Sequence, residues 1–230
     1  NGESVRTRAI VIATGAEYEK LGCPEVPRFE GAGIYYAATT IESQRCAEDE
    51  VVVVGGGNSA GQAATFLARG CRHVHILVRG PDLAASMSRY LIRRIEDTPN
   101  VTLHRHTSIV GLEGKTHLEH VTWKNAETGE TTKKAIRHVF SMIGAKPNTE
   151  WLRGCVAVDE KGFVKTGQDL TPEELAAQKW PLARTPYHFE TNVPRVFAVG
   201  DVRSESVKRV ASAVGEGSVC IQLVHKALAE

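Results

Sequence analysis

Of the 230 residues, 42% are hydrophobic and 24% are charged, which are the proportions of a globular protein with a packed core rather than of a disordered chain. The 28 basic residues nearly balance the 27 acidic ones, giving a net charge of +1, and no basic run is present, so we expect no nucleic-acid partner. The apolar runs are of strand length, far below the roughly 18 residues of a membrane span, so we expect no membrane partner either.

The five cysteines are odd in number and have no C-x-x-C spacing; they are Cys23, Cys46, Cys71, Cys155 and Cys220. This usage argues against a disulfide framework and a structural zinc site, and it favours a reducing, cytoplasmic setting. Four histidines alternate along two predicted strands without a carboxylate or thiol at ligand spacing; they are His73, His75, His104 and His106. We expect exposed sheet positions there and no metal site.

In chain order, the first predicted strand is Arg8–Ala13, a β-branched run that ends at Thr14 and Gly15, where a turn or a ligand must approach. A second strand, Glu50–Val54, runs directly into three glycines. The apolar spacing that follows predicts a helix over Asn58–Arg69 and then a strand over Cys71–Val78. These segments form a β-turn-α-β unit of about 30 residues.

The next segments predict a helix over Leu83–Glu96, a strand over Val101–Arg105 and a small antiparallel meander over Thr107–Phe140, with a hairpin turn at Asn125–Gly129. A further apolar strand then ends at Ile143 and Gly144.

Towards the end of the chain, Thr171-Pro172-Glu173-Glu174 has the pattern of a capping box and predicts a short helix. Val196–Val199 is predicted as a buried strand that ends at Gly200 and Asp201. A final helix is predicted over Val214–Leu228, and it opens with the sequence Gly215-Glu216-Gly217.

The glycines after the second strand have the G-x-G-x-x-A form of a dinucleotide-binding turn. Gly55 allows a tight turn, Gly57 lets a pyrophosphate approach the backbone, and Ala60 packs the helix on the strand. The helix start at Asn58 and Ser59 then offers free N–H groups and a positive dipole end to the phosphates. The alternative is a tight turn with a purely structural role.

Cofactor preference depends on the residue after the next strand. An NAD-type site places Asp or Glu there for the ribose 2′-hydroxyl, whereas an NADP-type site places a cation for the 2′-phosphate. The sequence offers Arg79, which favours NADPH over NADH. A solvated arginine at a strand end is the alternative interpretation, and the nearby Asp82 keeps the choice open.

Five motifs occur in an order and at a spacing that resemble the low-molecular-weight thioredoxin reductases: IVIATGA, VVVVGGGNSA, FSMIGAKPNT, VPRVFAVGD and KRVASAVGEG. The resemblance implies an α/β fold in which a doubly wound, Rossmann-like, three-layer NAD(P)H-binding domain is inserted into an FAD-binding domain with small antiparallel meanders. We expect the inserted domain at residues 17–143, flanked by FAD-domain parts at 1–16 and 144–230. A homodimer is implied as well.

The same resemblance implies which residues contact the cofactors. The domain crossings lie at Thr14-Gly15 and Ile143-Gly144. The Asp201 carboxylate, after Gly200, would accept hydrogen bonds from the ribityl hydroxyls of FAD, although a strand-end turn is an alternative role for it. The segment Lys208, Arg209, Val210 and Ala211 and the following Gly-Glu-Gly helix start would face the isoalloxazine.

Two departures from that family limit what the resemblance implies. Its first FAD glycine fingerprint has no counterpart here, so we expect this chain to be the later part of a longer protein, with an incomplete FAD site. Its redox-active C-A-T-C segment aligns with Ala37-Ala38-Thr39-Thr40. A methyl at Ala37 and a hydroxyl at Thr40 cannot cycle between thiol and disulfide, so we expect no catalytic residue of that kind, and Cys46 is interpreted as a bystander.

These observations predict a flavin-dependent NAD(P)H oxidoreductase that moves a hydride from NADPH to FAD and passes electrons to an unknown acceptor other than thioredoxin. The alternative is a catalytically weak module that senses nucleotide or redox state within a larger regulatory protein.

Overall fold

The computed structural model describes residues 2–230, which separate into two compact units. One unit combines the N-terminal segment through Glu17 with Ala145–Glu230, and the other is the continuous segment Tyr18–Gly144. Of the helices within residues 2–230, none combines the length and the apolar character needed to cross a bilayer.

The regular elements are as follows. The chain starts with strands β1 (Ile10–Ile12) and β2 (Ala16–Tyr18). The continuous unit then contains α1 (Val26–Phe29), β3 (Ile34–Tyr35), α2 (Thr40–Arg45), β4 (Glu50–Val54), α3 (Asn58–Leu67), β5 (His73–Leu77), α4 (Arg89–Glu96), β6 (Val101–His104), β7 (Thr107–Glu113), β8 (His120–Asn125), β9 (Thr131–Lys134) and β10 (His138–Ser141). The remainder contains β11 (Ala145–Pro147), α5 (Pro172–Ala177), β12 (Val196–Ala198) and α6 (Val210–Leu228).

The continuous unit has three layers around a five-stranded parallel sheet with the order β3-β10-β4-β5-β6. Strand β4 lies at the centre, and its side chains alternate between two cores. Val51 and Val53 pack with residues of α3 and α4, whereas Val52 and Val54 pack with residues of α1 and the antiparallel strands. The run of valines therefore reflects burial on both faces, as parallel strands require.

The third layer is the antiparallel sheet β7-β8-β9. The predicted meander is confirmed, and so is its hairpin turn, where the Asn125 side chain accepts hydrogen bonds from the amides of Glu127 and Thr128. The end of the predicted segment differs, because residues 138–141 form β10 and join the parallel sheet instead.

The divided unit is built on the parallel pair β1 and β12, with α6 packed nearby through Cys220 and Ala227. Its α5 begins with the predicted capping box, in which the Thr171 and Glu174 side chains each bond the other residue's backbone N–H. The buried Glu190 carboxylate in this unit pairs with Arg184 at 2.7 Å.

Two helix starts differ from the sequence-based expectation. Helix α4 begins at Arg89 rather than Leu83, because the Ser88 amide donates to Asn58 Oδ1 instead of to a carbonyl one helical turn earlier. The Ser86 hydroxyl in the same segment donates to the Gly56 carbonyl. Helix α6 begins at Val210 rather than Val214, so the Gly215-Glu216-Gly217 sequence lies inside the helix and not at its start.

The expectation of exposed histidines is wrong, because His73, His104 and His106 are half-buried and His75 is buried. The Nδ1 of His75 lies 3.0 Å from His104 Nε2, and its Nε2 lies 3.2 Å from Glu50 Oε2. The Trp123 ring lies against both imidazoles. The side chains alternate along β5 as predicted, but the antiparallel sheet covers the face on which His75 lies.

Burial makes the stability of this unit dependent on pH. Burial disfavours the imidazolium and lowers the pKa of His75 to about 4, against the raising effect of the bond to Glu50. The unfolded chain therefore takes up a proton as the pH falls below about 6.5, whereas the folded chain does so only near pH 4, and stability is lost between these values.

We predict that the free energy of unfolding falls between pH 7.5 and pH 5 in the wild-type chain, and that this decrease is about 2 kcal/mol larger than in His75→Gln. Urea unfolding at the two pH values measures this difference. His225→Gln, an exposed histidine on α6 of the divided unit, is the control. Equal pH dependence in wild type and His75→Gln would contradict the prediction.

Candidate functional site

The glycine turn lies at the edge where the carboxyl ends of three adjacent parallel strands meet. The Gly55 amide donates to the Leu77 carbonyl at the end of β5, at 3.1 Å, and the Met142 amide donates to the Val54 carbonyl at 2.8 Å. The segments that follow β4, β5 and β10 are therefore neighbours. In open α/β sheets this edge is where ligands bind.

Gly55 occupies a position that no other residue fits. Its φ is +139°, and a Cβ there would lie 2.4 Å from the Met142 carbonyl oxygen and 3.3 Å from the Ala60 Cβ. The obstructing oxygen belongs to the backbone next to β10, so it cannot swing aside. Ala60 is itself fully buried between helix and sheet, as its predicted packing role requires.

Gly57 differs from Gly55, because nothing in the protein requires it to be small. It has φ −91° and is the N-cap of α3, and a Cβ there would meet no atom closer than 3.9 Å. No side chain caps α3. The first amides of the helix, from Asn58 and Ser59 onward, therefore have no intrahelical acceptor, and both residues are exposed. An uncapped, exposed helix start of this kind fits a pyrophosphate.

The loop after β5 closes over one side of this turn. Ser86 Oγ donates to the Gly56 carbonyl at 2.9 Å, and the Ser88 amide donates to Asn58 Oδ1 at 2.8 Å. The sequence pattern gave no sign that either serine bonds to this turn, because it predicted a helix over both residues. The weak apolar periodicity of residues 84–88 was the available signal.

Arg79 follows β5 at the same edge, and its side chain is exposed. It forms no hydrogen bond or ion pair with another residue in the described part of the chain. Asp82 does not compete for it, because Asp82 Oδ1 accepts the Ala84 amide at 2.9 Å in a local turn. The guanidinium is therefore available to an anionic ligand.

Ile143 and Gly144 follow β10 at this edge. Ile143 packs against the core on the antiparallel side, and Gly144 has φ +122° and is exposed. The Gly144 carbonyl accepts the Glu19 amide at 3.0 Å.

In the divided unit, the turn after β12 is fixed by a buried ion pair. Glu216 accepts from the Gly200 amide at 2.7 Å and from Arg203 Nη2 at 2.6 Å. Burial acts to raise the pKa of Glu216, but the hydrogen bonds from Arg203 and Gly200 hold it below its ordinary value. Glu216 was predicted to face a flavin ring, but the structure gives its carboxylate this anchoring role.

The carboxylate of Asp201, in the same turn, has one oxygen without a hydrogen-bond partner within residues 2–230. This oxygen, Oδ1, is buried. A buried carboxylate oxygen without a donor is costly. A ligand hydroxyl that donates to it would remove that cost, which fits the ribityl role implied by the sequence.

The start of α6 lies a few residues further on. Arg209 is its N-cap in extended conformation and no side chain caps the helix, so the amides of Val210 and Ala211 have no intrahelical acceptor. Lys208 Nζ lies 4.1 Å from the centre of the Phe163 ring, and burial lowers the pKa of this lysine. These free amides and the lysine fit an electron-rich ring edge.

The turn after β1 belongs to the same unit. Thr14 Oγ1 donates to the Asn148 carbonyl at 2.9 Å, the Asn148 side chain donates to the Thr14 carbonyl at 3.0 Å, and Gly15 has φ +68°. The turn is thus fixed by reciprocal bonds to a second segment.

Ala37 and Thr40 precede and begin α2, in the continuous unit. Thr39 is the N-cap of this helix and forms a capping box with Glu42. Ala37 and Thr40 are both exposed, and neither position carries a thiol.

The chain matches the family model described as pyridine nucleotide-disulphide oxidoreductase over residues 1–217. Its curated relatives include a thioredoxin reductase from Mycolicibacterium smegmatis, 31% identical over 228 residues that cover 99% of this chain and 67% of the relative. A thioredoxin reductase from Streptomyces clavuligerus is 29% identical, with 92% of this chain and 59% of the relative covered. An NADH dehydrogenase from Bacillus subtilis (strain 168) is 29% identical, with 95% and 38% covered.

Among solved structures, the thioredoxin reductase of Lactococcus lactis matches with a TM-score of 0.69 and 28% identity, covering 97% of this chain and 67% of that protein. The α/β fold expected from the sequence is confirmed by this match. The chain spans 59% of the Streptomyces relative and 38% of the Bacillus relative.

The two glycines of the turn give a direct test of the site geometry. We predict that Gly55→Ala destabilises the chain by about 3 kcal/mol or more, because of the backbone clash and the positive φ. Gly57→Ala costs less than about 1 kcal/mol, since it loses only N-cap preference. Urea unfolding compares them, and similar losses in both variants would refute the assignment of separate roles.

Proposed function

The chain belongs to the pyridine nucleotide-disulphide oxidoreductase family, and on that premise we propose that it carries the NADPH site and part of the FAD site of a flavin-dependent oxidoreductase. Bound flavin would accept a hydride from the nicotinamide and release electrons to a further acceptor. The protein's own residues bind and orient the two cofactors.

The observation that carries the nucleotide assignment is the uncapped start of α3 at Gly57, where a Cβ would meet no protein atom closer than 3.9 Å. A glycine that protein packing does not require, at the uncapped start of a helix, is accounted for by a ligand that approaches the backbone there. Phosphate oxygens would accept from the first amides of α3, where the helix dipole favours negative charge. Ser86 and Ser88 hold the loop that leads away from Arg79 in place.

NADPH rather than NADH is proposed because Arg79, the first cation after β5, is exposed and has no hydrogen-bond or ion-pair partner within residues 2–230. Its planar guanidinium matches a 2′-phosphate in bidentate geometry. An NADH site would need a carboxylate for the ribose hydroxyl, and Asp82 is occupied by its own turn.

The FAD assignment rests on Asp201 and the start of α6. Asp201 would accept the ribityl hydroxyls through its unsatisfied oxygen, Glu216 and Arg203 would hold the turn that carries it, and the amides of Val210 and Ala211 would donate to the ring edge. Thr14 and Gly15 lie after the partner strand of the same sheet and would line the site from β1.

An acceptor other than thioredoxin is proposed, since no dithiol lies at Ala37–Thr40. Steady-state NADPH oxidation by the complete, flavin-loaded protein, with ferredoxin, flavodoxin, quinone and oxygen in turn, identifies the acceptor. A protein that binds both cofactors and turns over with none of these acceptors would instead fit the sensing module.

We predict that Arg79→Ala weakens NADPH binding by about ten- to a hundredfold, because a charge-assisted bond to phosphate is worth roughly 1.5–3 kcal/mol. NADH binding stays unchanged. Calorimetric titration of the chain with each nucleotide measures both affinities, and Arg69→Ala, at the opposite end of α3, is the control. Equal affinities of the wild-type chain for NADPH and NADH would overturn the choice of cofactor.

For the complete protein we predict no NADPH-dependent reduction of thioredoxin or of an aromatic disulfide above its oxidase background. Cys46→Ser leaves acceptor turnover unchanged, because that thiol is fully buried and cannot be reached by a protein disulfide. Thioredoxin turnover that Cys46→Ser abolishes would show that this cysteine takes part in a relay.

A further inference from the structure

Two cysteines that lie 25 positions apart in the sequence have their sulfur atoms in contact. Cys46 is the C-cap of α2, and Cys71 lies just before β5. Their Sγ atoms are 3.6 Å apart. Cys46 is fully buried, and Cys71 is 6% exposed.

The surroundings of the two thiols differ. Cys46 Sγ lies 3.2 Å from the Glu42 carbonyl, and Cys71 Sγ lies 3.4 Å from the Cys46 carbonyl. The contact between the two sulfurs lowers the pKa of Cys46, against the opposing effect of burial, and the same contact together with burial raises the pKa of Cys71. Cys46 is thus the better nucleophile of the pair.

The remaining cysteines have no such partner. Cys23 bonds to the Ile109 carbonyl, Cys155 is exposed, and Cys220 is buried with its pKa raised to about 11. Within residues 2–230, no other two sulfurs form a hydrogen-bonded contact.

We propose that Cys46 and Cys71 form a reversible dithiol–disulfide pair, oxidised by hydrogen peroxide or a comparable small peroxide. An S–S bond of about 2.05 Å requires the sulfurs to approach by roughly 1.5 Å. The bond would enclose β4, the glycine turn and α3 in one covalent loop. It would join the ends of α2 and α3, which lie at the opposite edge of the sheet from the turn, so the uncapped start of α3 stays open.

The reaction balances without any further reagent. The Cys46 thiolate attacks one oxygen of the peroxide, the O–O bond breaks, and the departing hydroxide takes a proton to form water, leaving a sulfenic acid. The Cys71 sulfur then attacks the Cys46 sulfur, the S–O bond breaks, and a second water leaves with the proton of Cys71. Two thiols lose two electrons, and one peroxide gains them.

The contact also determines which product accumulates. A sulfenic acid without a nearby thiol is oxidised further and irreversibly. Here Cys71 is already in contact with Cys46, so disulfide formation precedes a second encounter with peroxide. The slight exposure of Cys71 gives a small, uncharged oxidant a route to the pair.

Tryptic mapping tests the pair, because cleavage after Arg45, Arg69 and Arg72 places Cys46 in peptide 46–69 and Cys71 in peptide 70–72. The reduced, folded chain is treated with hydrogen peroxide, the remaining thiols are alkylated, and the digest is analysed without reductant. We expect the two peptides to be linked, two of the five thiols to be lost, and dithiothreitol to restore both.

Cys71→Ser should give irreversibly oxidised Cys46 and no linked peptide, whereas Cys220→Ser should give the same linked peptide as the wild type. The tryptic digest of the oxidised wild-type chain shows by itself whether the two peptides are linked. The test therefore does not depend on whether a variant folds. Both cysteines remaining reduced while Cys155 is oxidised, or Cys46 linked to a different cysteine, would overturn the proposal.

Discussion

The approach of Gly55 to the end of β10 is the constraint on which the larger unit depends. A backbone oxygen lies 2.4 Å from where a Cβ of Gly55 would be, so the chain can leave the central strand only through glycine. That close approach lets Ala60 pack against the sheet and positions the first amides of α3 at the strand edge. The same geometry that closes the core thus leaves the helix start open above Gly57.

In the divided unit, the turn after β12 is held by an ion pair between Glu216 and Arg203. Gly200 also has a positive φ of 73°, and a Cβ there would lie 3.2 Å from the Ala213 side chain. The Glu216 carboxylate bonds both the Gly200 amide and Arg203, and so ties the turn to α6 through a buried ion pair. Removing either charged partner would leave the other unpaired and buried, which is costly. The turn is therefore held rigidly while Asp201 keeps an oxygen free.

The sequence predicted the features that depend on neighbours along the chain. The four valines followed by glycines, the capping box at Thr171 and the hairpin at Asn125 were read from local patterns, and the structure contains them all. Features that depend on distant segments were missed or misread. The predicted helix over Leu83–Glu96 begins only after Ser88, because the Ser88 amide donates to the side chain of Asn58, thirty residues away.

The burial of His75 and the contact of Cys46 with Cys71 have the same origin. Each depends on which segment covers a given face of the parallel sheet, and strand periodicity does not report the covering layer. The spacing of the cysteines indicated no pair because the two thiols meet across the ends of α2 and α3. Long-range packing, rather than local propensity, determines both features.

The open start of α3 is the proposed binding site for the pyrophosphate of a nicotinamide dinucleotide. Amide hydrogen exchange of the chain, measured by NMR with and without saturating NADPH, tests it at the atoms concerned. We expect the amides of residues 57–60 to exchange more slowly when NADPH is bound, while those of residues 210 and 211 stay unchanged. Unchanged exchange at residues 57–60 under saturation, with protection elsewhere, would contradict the account.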